Sequence, residues 1–266
     1  MTRIRLGSVG YLNARPLVHC LEHHSSTFDV RFDPPAVCAE LLHAGQIDLG
    51  LIPSFEYLQR PGYRIVPDLA IGSNGPVSSV ALFATRPLHH VRSIALDTSS
   101  RTSVVLLKIL CRQRFGIAPA FESQAPDLAA MLARCDAALL IGNPALFAEH
   151  ERLGATKFDL GEAWTTMTGL PFVWALWAGP ETGPISPEVC RLLRDARDRG
   201  LAAVDEIARR FGQGDEARCA TAATYLRTHI KYGLGPQFLS GLGRFHALAV
   251  EGGFAPQLRS VRFFEA

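Results

Sequence analysis

The chain has 266 residues, of which 48% are hydrophobic and 20% charged, a composition that excludes disordered and low-complexity proteins. Its 27 Lys and Arg residues nearly balance 25 Asp and Glu residues, and the net charge of +2 predicts no nucleic-acid partner and no anionic membrane surface. No apolar run approaches the ~20 residues of a membrane-spanning helix.

The first part of the chain alternates short apolar runs with helical patterns. Strands are predicted over Arg3–Val9, Val30–Phe32, Ile47–Ile52, Val66–Ile71 and Val77–Ala84. One helix is predicted to begin near Ala14, with Pro16 in its first turn, and another over Val37–Ala44, ending at Gly45.

A second series of the same kind begins near residue 93. Its predicted strands are Ser93–Asp97, Phe121–Ser123, Ala137–Ile141, Lys157–Leu160 and Phe172–Ala178. Its predicted helices are Arg101–Phe115, capped at Gly116, then Pro126–Cys135 and a short helix after Pro144. Beyond Pro187 the chain is predicted to be helical to about Leu248.

This alternation favours parallel α/β sheets, and two such series followed by a return strand predict two lobes. The first lobe is expected to take residues 1–82 and 179–266, and the second lobe residues 83–178. The chain is expected to cross near Ala81–Arg86 and to return near Phe172–Gly179. Ligands of open α/β sheets bind at the carboxyl ends of the strands, so the cleft between the lobes is the expected site.

A cluster of hydroxyl side chains and one guanidinium follows the strand at 93–97. It consists of Ser99, Ser100, Arg101, Thr102 and Ser103. At a helix amino terminus, free N–H groups, the helix dipole and the guanidinium suit an anion, and capping alone needs only one hydroxyl. The cluster therefore predicts a site for a carboxylate or phosphate, while the missing Gly-rich phosphate loop argues against a nucleotide.

Two asparagines occupy matching strand-to-helix turns, one in each lobe. Asn13 follows Gly10, and Asn143 follows Gly142. Each amide has two alternative roles, because it can cap a helix N–H group or face a ligand. Residues 78 and 79 are both serines and alternate faces on a strand, so only one of the two can point into the cleft.

No metal site is predicted. The segment His19-Cys20-Leu21-Glu22-His23 has the H-x-x-E-H spacing of zinc proteases, but its histidines lie opposite the apolar stripe and indicate a solvated helix face. The candidate loops hold no histidine and no Ser/His/Asp arrangement that would make a general base. They predict either a pure binding protein or an enzyme whose chemistry demands little of its side chains.

These loops resemble the chorismate dehydratases, which begin the futalosine route to menaquinone. The resemblance is carried by Gly10–Leu17, Asp48–Tyr57, Gly75–Val80, Ser99–Val104, Ile141–Leu146 and Thr168–Ala175. It implies a two-lobed fold like the type II periplasmic binding proteins. It also implies a hydro-lyase that converts chorismate into 3-[(1-carboxyvinyl)oxy]benzoate without a metal or organic cofactor.

The resemblance further implies Asn13 and Ser79 as catalytic residues, with a substrate carboxylate helping to remove the proton. Tyr11, the cluster at 99–103 and Asn143 would then contact the substrate. The family is expected to carry an aspartate at position 143, so the asparagine found here removes a negative charge beside the cleft.

Three alternative functions are open. The same cleft would serve a non-enzymatic solute-binding protein for a small carboxylate, for which a secreted precursor would be diagnostic. The sister enzyme, 1,4-dihydroxy-6-naphthoate synthase, would act on a cyclic futalosine derivative instead. A ligand-sensing regulator would need a DNA-binding segment, and neither a helix-turn-helix pattern nor a basic patch is found.

A cytoplasmic location is expected, because the first residues enter a strand pattern without a secretory signal. The six cysteines include no C-x-x-C pair and are expected to be reduced. The C-terminal helices, over Asp215–Tyr232 and Pro236–Val250, can pack on their own lobe or on a second subunit, which leaves a homodimer open.

Overall fold

Two five-stranded sheets form the framework of the computed structural model, which describes residues 3–265. The strands are β1 (Ile4–Val9), β2 (Phe28–Asp33), β3 (Leu49–Pro53), β4 (Tyr63–Ser73), β5 (Val80–Ala84), β6 (Ser93–Asp97), β7 (Ala120–Gln124), β8 (Ala137–Ile141), β9 (Thr156–Asp159) and β10 (Phe172–Pro180). The strand order is β2-β1-β3-β10-β4 in the first sheet and β7-β6-β8-β5-β9 in the second.

Each sheet is mixed, and the expectation of parallel sheets is wrong for the strands at the crossings. β1 runs parallel to β2 and β3, whereas β10 is antiparallel to β3 and β4. In the second sheet β6 is parallel to β7 and β8, whereas β5 is antiparallel to β8 and β9. The reason is geometric: β5 and β10 both start at the cleft, where the parallel strands end.

The chain passes between the lobes earlier than predicted, at residues 74–79 and again at 169–171. Ala81 of β5 pairs with Leu140 in the second sheet, and Leu176 of β10 pairs with Ile52 in the first. The expected lobe boundaries at 82/83 and 178/179 therefore fall inside two strands. The hydrophobic pattern of an apolar strand does not indicate which sheet the strand will join, which explains why the predicted boundaries differ from the observed crossings.

Helices cover both sheets. The α-helices are α1 (Pro35–His43), α2 (Glu56–Gln59), α3 (Thr102–Leu110), α4 (Leu128–Arg134), α5 (Gly142–Leu146), α6 (Leu160–Thr168), α7 (Pro187–Ala202), α8 (Val204–Gly212), α9 (Glu216–Thr224) and α10 (Pro236–Glu251). Short 3₁₀ helices lie at Leu12–Val18, Leu21–His24, Leu88–His90 and His150–Leu153, and π-helical turns at Cys111–Phe115 and Tyr225–His229. Sequence analysis missed α6, and the helix expected from Ala14 is a 3₁₀ helix that begins at Leu12. Within residues 3–265, no helix is long and apolar enough to cross a membrane.

An aromatic cluster joins α6, β10 and α10 beneath the first sheet. The Trp164 ring centroid lies 5.1 Å from that of Phe172, which lies 4.9 Å from that of Phe245. Such aromatic pairs add about 0.5–1.5 kcal/mol each to the free energy gained by burying their area. Gly241 lets α10 approach the backbone just before β10 closely, because a side chain at this position would collide with the carbonyl oxygen of Pro171.

A neutral histidine in this core makes stability sensitive to acid. Burial lowers the pKa of His246 to about 4, although a hydrogen bond with the Ser54 backbone opposes the shift. The unfolded chain therefore binds more protons than the folded chain between pH 6.5 and about 4. We expect this group to lower the free energy of unfolding by about 3 kcal/mol as the pH falls through that window.

Urea unfolding at a series of pH values measures this loss. In a His246→Gln variant the slope over this window should become shallower, whatever the absolute stability of the variant. His90→Gln is the matched control, since His90 is exposed and its replacement should leave the slope unchanged. Identical slopes in the wild type and in His246→Gln would contradict the prediction.

Candidate functional site

A small cavity of about 60 Å³ lies where the two lobes meet. The polar residues on its wall are Tyr11, Asn13, Ser79, Ser100, Thr102, Ser103 and Trp174, and the others are Val9, Pro35, Pro53, Ile71, Val77, Val80, Ile141, Gly142 and Ala175. Among the described residues that line it, none carries a charged side chain. Of the sequence-predicted site residues, Ser99, Arg101 and Asn143 lie off this wall.

Asn13 contributes an unpaired acceptor to the cavity. Its Oδ1 atom is buried and finds no hydrogen-bond partner in the described part of the chain. The N–H group of Leu12 at the helix start is capped by Asn143, whose Oδ1 accepts at 3.0 Å. Asn13 is therefore not the helix cap. Buried polar atoms are almost always paired, so a free Oδ1 on a cavity wall points to a ligand partner.

The turn at residues 77–79 decides which serine faces the cavity. Asp159 accepts hydrogen bonds from the N–H groups of Val77 and Ser78, and it thereby holds Ser78 in a left-handed conformation with φ of +62°. The Ser78 hydroxyl lies 3.1 Å from Nδ1 of His229, outside the cavity. Ser79, only 1% exposed, is the serine on the cavity wall.

Tyr225 holds Ser79 from behind the cavity wall. Its hydroxyl donates to Oγ of Ser79 at 2.6 Å. Burial raises the pKa of Tyr225, although its hydrogen bond with Ser79 opposes the shift. Because Ser79 accepts this hydrogen bond, it keeps its own proton to donate.

Sequence analysis missed Tyr225. It lies 146 residues from Ser79, and no local pattern marks it. It begins the π-helical turn Tyr225–His229, and such turns are frequent at functional sites, but a single sequence does not reveal them.

The amino terminus of α3 brings three hydroxyl groups to the cavity, those of Ser100, Thr102 and Ser103. Oγ of Ser100 accepts from the Ser103 N–H group at 3.2 Å, and Oγ1 of Thr102 accepts from the Phe55 N–H group at 3.0 Å. Ser100 and Thr102 thus both keep a proton to donate. Together with the positive end of the helix dipole, they form an uncharged cradle for an anion.

Ser99 and Arg101, predicted to bind the anion, are engaged elsewhere. Ser99 donates its hydroxyl to Oδ1 of Asp97 at 2.5 Å. Arg101 extends its Nη2 to within 2.6 Å of Oε1 of Glu40, and its Nη1 lies 3.2 Å from Oε1 of the buried Glu56. Two carboxylates of the first lobe thus hold the guanidinium, and the expectation that Arg101 faces the anion is not met.

Tyr11 and Asn143 lie at the contact between the lobes. The Tyr11 ring lies directly over Gly142, where an added Cβ would meet ring carbons at 2.8 Å. The Tyr11 hydroxyl lies 3.3 Å from Oγ of Ser99. The amide of Asn143 spans the lobes to cap Leu12, a task that needs only an acceptor oxygen. An asparagine accepts this hydrogen bond no less well than the expected aspartate would.

No group of three His, Cys, Asp or Glu side chains is placed to hold a metal ion within residues 3–265. The six cysteines are all free thiols.

Comparison with known proteins identifies relatives of the chain. The profile of a family described as "Menaquinone biosynthesis" matches residues 4–251. A protein of Thermus thermophilus named chorismate dehydratase is 35% identical over 219 residues, which cover 76% of this chain and 79% of that protein.

Solved structures agree on the fold. A protein of Archaeoglobus fulgidus has a TM-score of 0.76 at 18% identity and covers 95% of this chain and 98% of its own. A Candida albicans protein described as exhibiting the generic periplasmic binding protein fold has a TM-score of 0.68 at 10% identity, covering 98% of this chain and 92% of its own. The expected two-lobed α/β fold of the periplasmic-binding-protein kind is confirmed.

Proposed function

The chain belongs to the menaquinone-biosynthesis family, as its loops predicted, and we propose that it is a chorismate dehydratase, a hydro-lyase acting on a small dicarboxylate. The 35% identity to the Thermus thermophilus enzyme supports this activity. The observation that carries the mechanism is the unpaired Oδ1 of Asn13 together with the Ser79 hydroxyl, held by Tyr225 at 2.6 Å, on the wall of an uncharged cavity.

The proposed reaction is an elimination that makes the ring aromatic. A ring C–H bond and the neighbouring C–O bond to the hydroxyl group break, giving 3-[(1-carboxyvinyl)oxy]benzoate and one water. A substrate carboxylate accepts the ring proton, which leaves with the hydroxyl group as water. Every side chain of the protein ends in its starting protonation state, and aromatisation provides the driving force.

The uncharged wall suits a substrate that supplies its own base. Transfer from water into a cavity without a cation raises the pKa of a carboxylate and makes it a stronger base. A guanidinium at the wall would pair with the carboxylate and weaken it, and Glu40 and Glu56 hold Arg101 outside. The second carboxylate of chorismate is bound by the hydroxyl groups at the start of α3, as a neutral hydrogen-bonding cradle permits.

Asn13 and Ser79 act on the reacting part of the ring. The Ser79 hydroxyl donates a hydrogen bond to the leaving hydroxyl group, and Oδ1 of Asn13 accepts one from the substrate. Because burial raises the pKa of Tyr225, this phenol stays protonated and serves as a positioning residue for Ser79. Pre-oriented donors of this kind are typically worth about 10²–10³ in rate.

Substrate entry requires the lobes to separate. The cavity holds about 60 Å³, whereas pockets for small ligands usually measure about 300 Å³ or more. Two contacts that would have to break lie beside the cavity: the bond between Asn143 and Leu12, and the packing of Tyr11 on Gly142. Closing again after entry would exclude water from the reacting carboxylate.

The test is to incubate the purified protein with chorismate alone and follow mass and ultraviolet absorbance. We expect loss of the mass of one water and a new benzoate chromophore, at the same rate with and without a chelator. Samples without protein and with heat-denatured protein control for spontaneous decay.

Two other outcomes would favour the alternative functions. Chorismate that binds in a calorimetric titration but stays unchanged would make the chain a solute-binding protein. Chorismate that neither binds nor reacts would overturn the substrate assignment, and a cyclic futalosine derivative, the substrate of the sister synthase, would be tested next.

A further inference from the structure

A second and larger concavity shares the helix that carries Asn13. It has a volume of about 880 Å³ and lies between the 3₁₀ helix Leu12–Val18 and the pair α8 and α9. Its wall carries the basic side chains of Arg15, His19, Arg210 and Arg218, against one carboxylate among the described lining residues, that of Asp215. The proposed reaction uses none of these residues.

Two of the guanidinium groups lie over aromatic rings. Cζ of Arg15 is 5.2 Å from the centroid of the Phe32 ring, and Cζ of Arg218 is 4.5 Å from that of Phe147 and 5.0 Å from that of Phe211. In the part of the chain that the structure describes, neither side chain makes an ion pair or a hydrogen bond. A guanidinium that lies over a ring and has no polar partner leaves its N–H groups to bind an acceptor.

The chemistry of the groove specifies its ligand. A guanidinium edge binds a carboxylate or phosphate through two parallel hydrogen bonds. Apolar surface lies beside these groups, since Phe32 is 47% exposed and the partly exposed Phe211 also lines the groove. The volume lies within the range of about 300–1,000 Å³ typical of small-molecule sites. We propose that this groove is a second binding site, for a small organic anion with a flat apolar body such as an aromatic carboxylate.

The site adjoins a contact between the lobes. Phe147 follows α5 in the second lobe, and its ring stacks on that of Phe211 in α8, with centroids 5.4 Å apart. Arg218 covers both rings, so an anion that binds Arg218 acts directly on this contact. Binding itself does not depend on the reaction proposed for the cavity.

Isophthalate (benzene-1,3-dicarboxylate) is a suitable probe, titrated calorimetrically into the full-length protein. The groove variant is Arg15→Gln/Arg218→Gln. The matched control, Arg112→Gln/Arg114→Gln, removes the same charge from exposed positions outside the groove. Any binding in the cavity between the lobes is common to all three proteins. We expect the wild type and the control to show a binding component whose Kd rises roughly ten- to a hundredfold in the groove variant.

Identical isotherms for all three proteins would overturn the proposal. The single variants Arg15→Gln and Arg218→Gln provide the same comparison if the double variant folds poorly. Inorganic phosphate alone is the second probe, and equal affinity for phosphate and isophthalate would overturn the requirement for a flat body. A single-stranded RNA that binds at the groove where isophthalate does not would overturn the small-molecule proposal.

Discussion

Replacing Asn13 with alanine should lower kcat for chorismate about a hundredfold or more, while the free energy of unfolding changes by less than about 1 kcal/mol. The stability of the variant is preserved because the lost Oδ1 atom has no partner in the described chain, and because Asn143 caps the helix. Activity falls because the same atom is the acceptor left free on the cavity wall. Initial rates and urea unfolding measure the two quantities.

Asn143→Ala is the matched control for this variant. Its amide makes the 3.0 Å hydrogen bond to Leu12, so its loss should cost about 1 kcal/mol of stability and less than tenfold in kcat. The two asparagines should therefore give opposite patterns. A parallel loss of activity and stability in Asn13→Ala would show that Asn13 has only a structural role.

Replacing Tyr225 with phenylalanine should lower kcat by about ten- to a hundredfold and leave KM nearly unchanged. The variant keeps the buried ring but removes the hydroxyl that donates to Ser79 at 2.6 Å. Without that donor the Ser79 hydroxyl can rotate, so it is no longer held in place for the leaving group. A change confined to kcat is expected of a group that matters mainly in the transition state, and loss of packing alone would not produce it.

Tyr232→Phe provides the comparison. Tyr232 is also buried, and its hydroxyl donates to the backbone oxygen of Asn13 at 2.9 Å, not to the reacting side chains. Both variants should lose about 1 kcal/mol of stability, as expected for one buried hydrogen bond. Only Tyr225→Phe should lose more than tenfold in kcat. Equal kcat values in the two variants would remove Tyr225 from the mechanism.

Local features of the sequence predicted part of this site. One strand-to-helix turn carries Ser100, Thr102 and Ser103. A turn of this kind lies at the carboxyl edge of its sheet, and its position there does not depend on distant parts of the chain. Asn13 was identified by the same argument. The sequence left open whether Asn13 is a cap or a ligand contact, because the actual cap, Asn143, lies 131 residues from Leu12.

The predictions that the structure does not match depend on partners distant in sequence. Arg101 was predicted to bind the anion because the hydroxyl groups next to it in sequence favour an anion site. In the structure, Glu40 and Glu56 of the other lobe pair with its guanidinium. Tyr225 contacts Ser79 only after the C-terminal helices fold back. The directions of β5 and β10 likewise follow from the crossings between lobes. Each of these features is set by tertiary structure, which hydrophobic periodicity does not predict.

The strand order also determines when each lobe can fold as the chain leaves the ribosome. The second sheet uses only residues 80–159, so all of its strands are available early and its contacts are close in sequence. The first sheet has β10 between β3 and β4, and it therefore stays incomplete until residue 180 has emerged. Contacts distant in sequence form more slowly, so we expect the inserted lobe to fold first and to provide a docking surface for the flanking segments. Tyr225 is synthesised later still, so the proposed site is complete only after the helices that follow β10 have emerged.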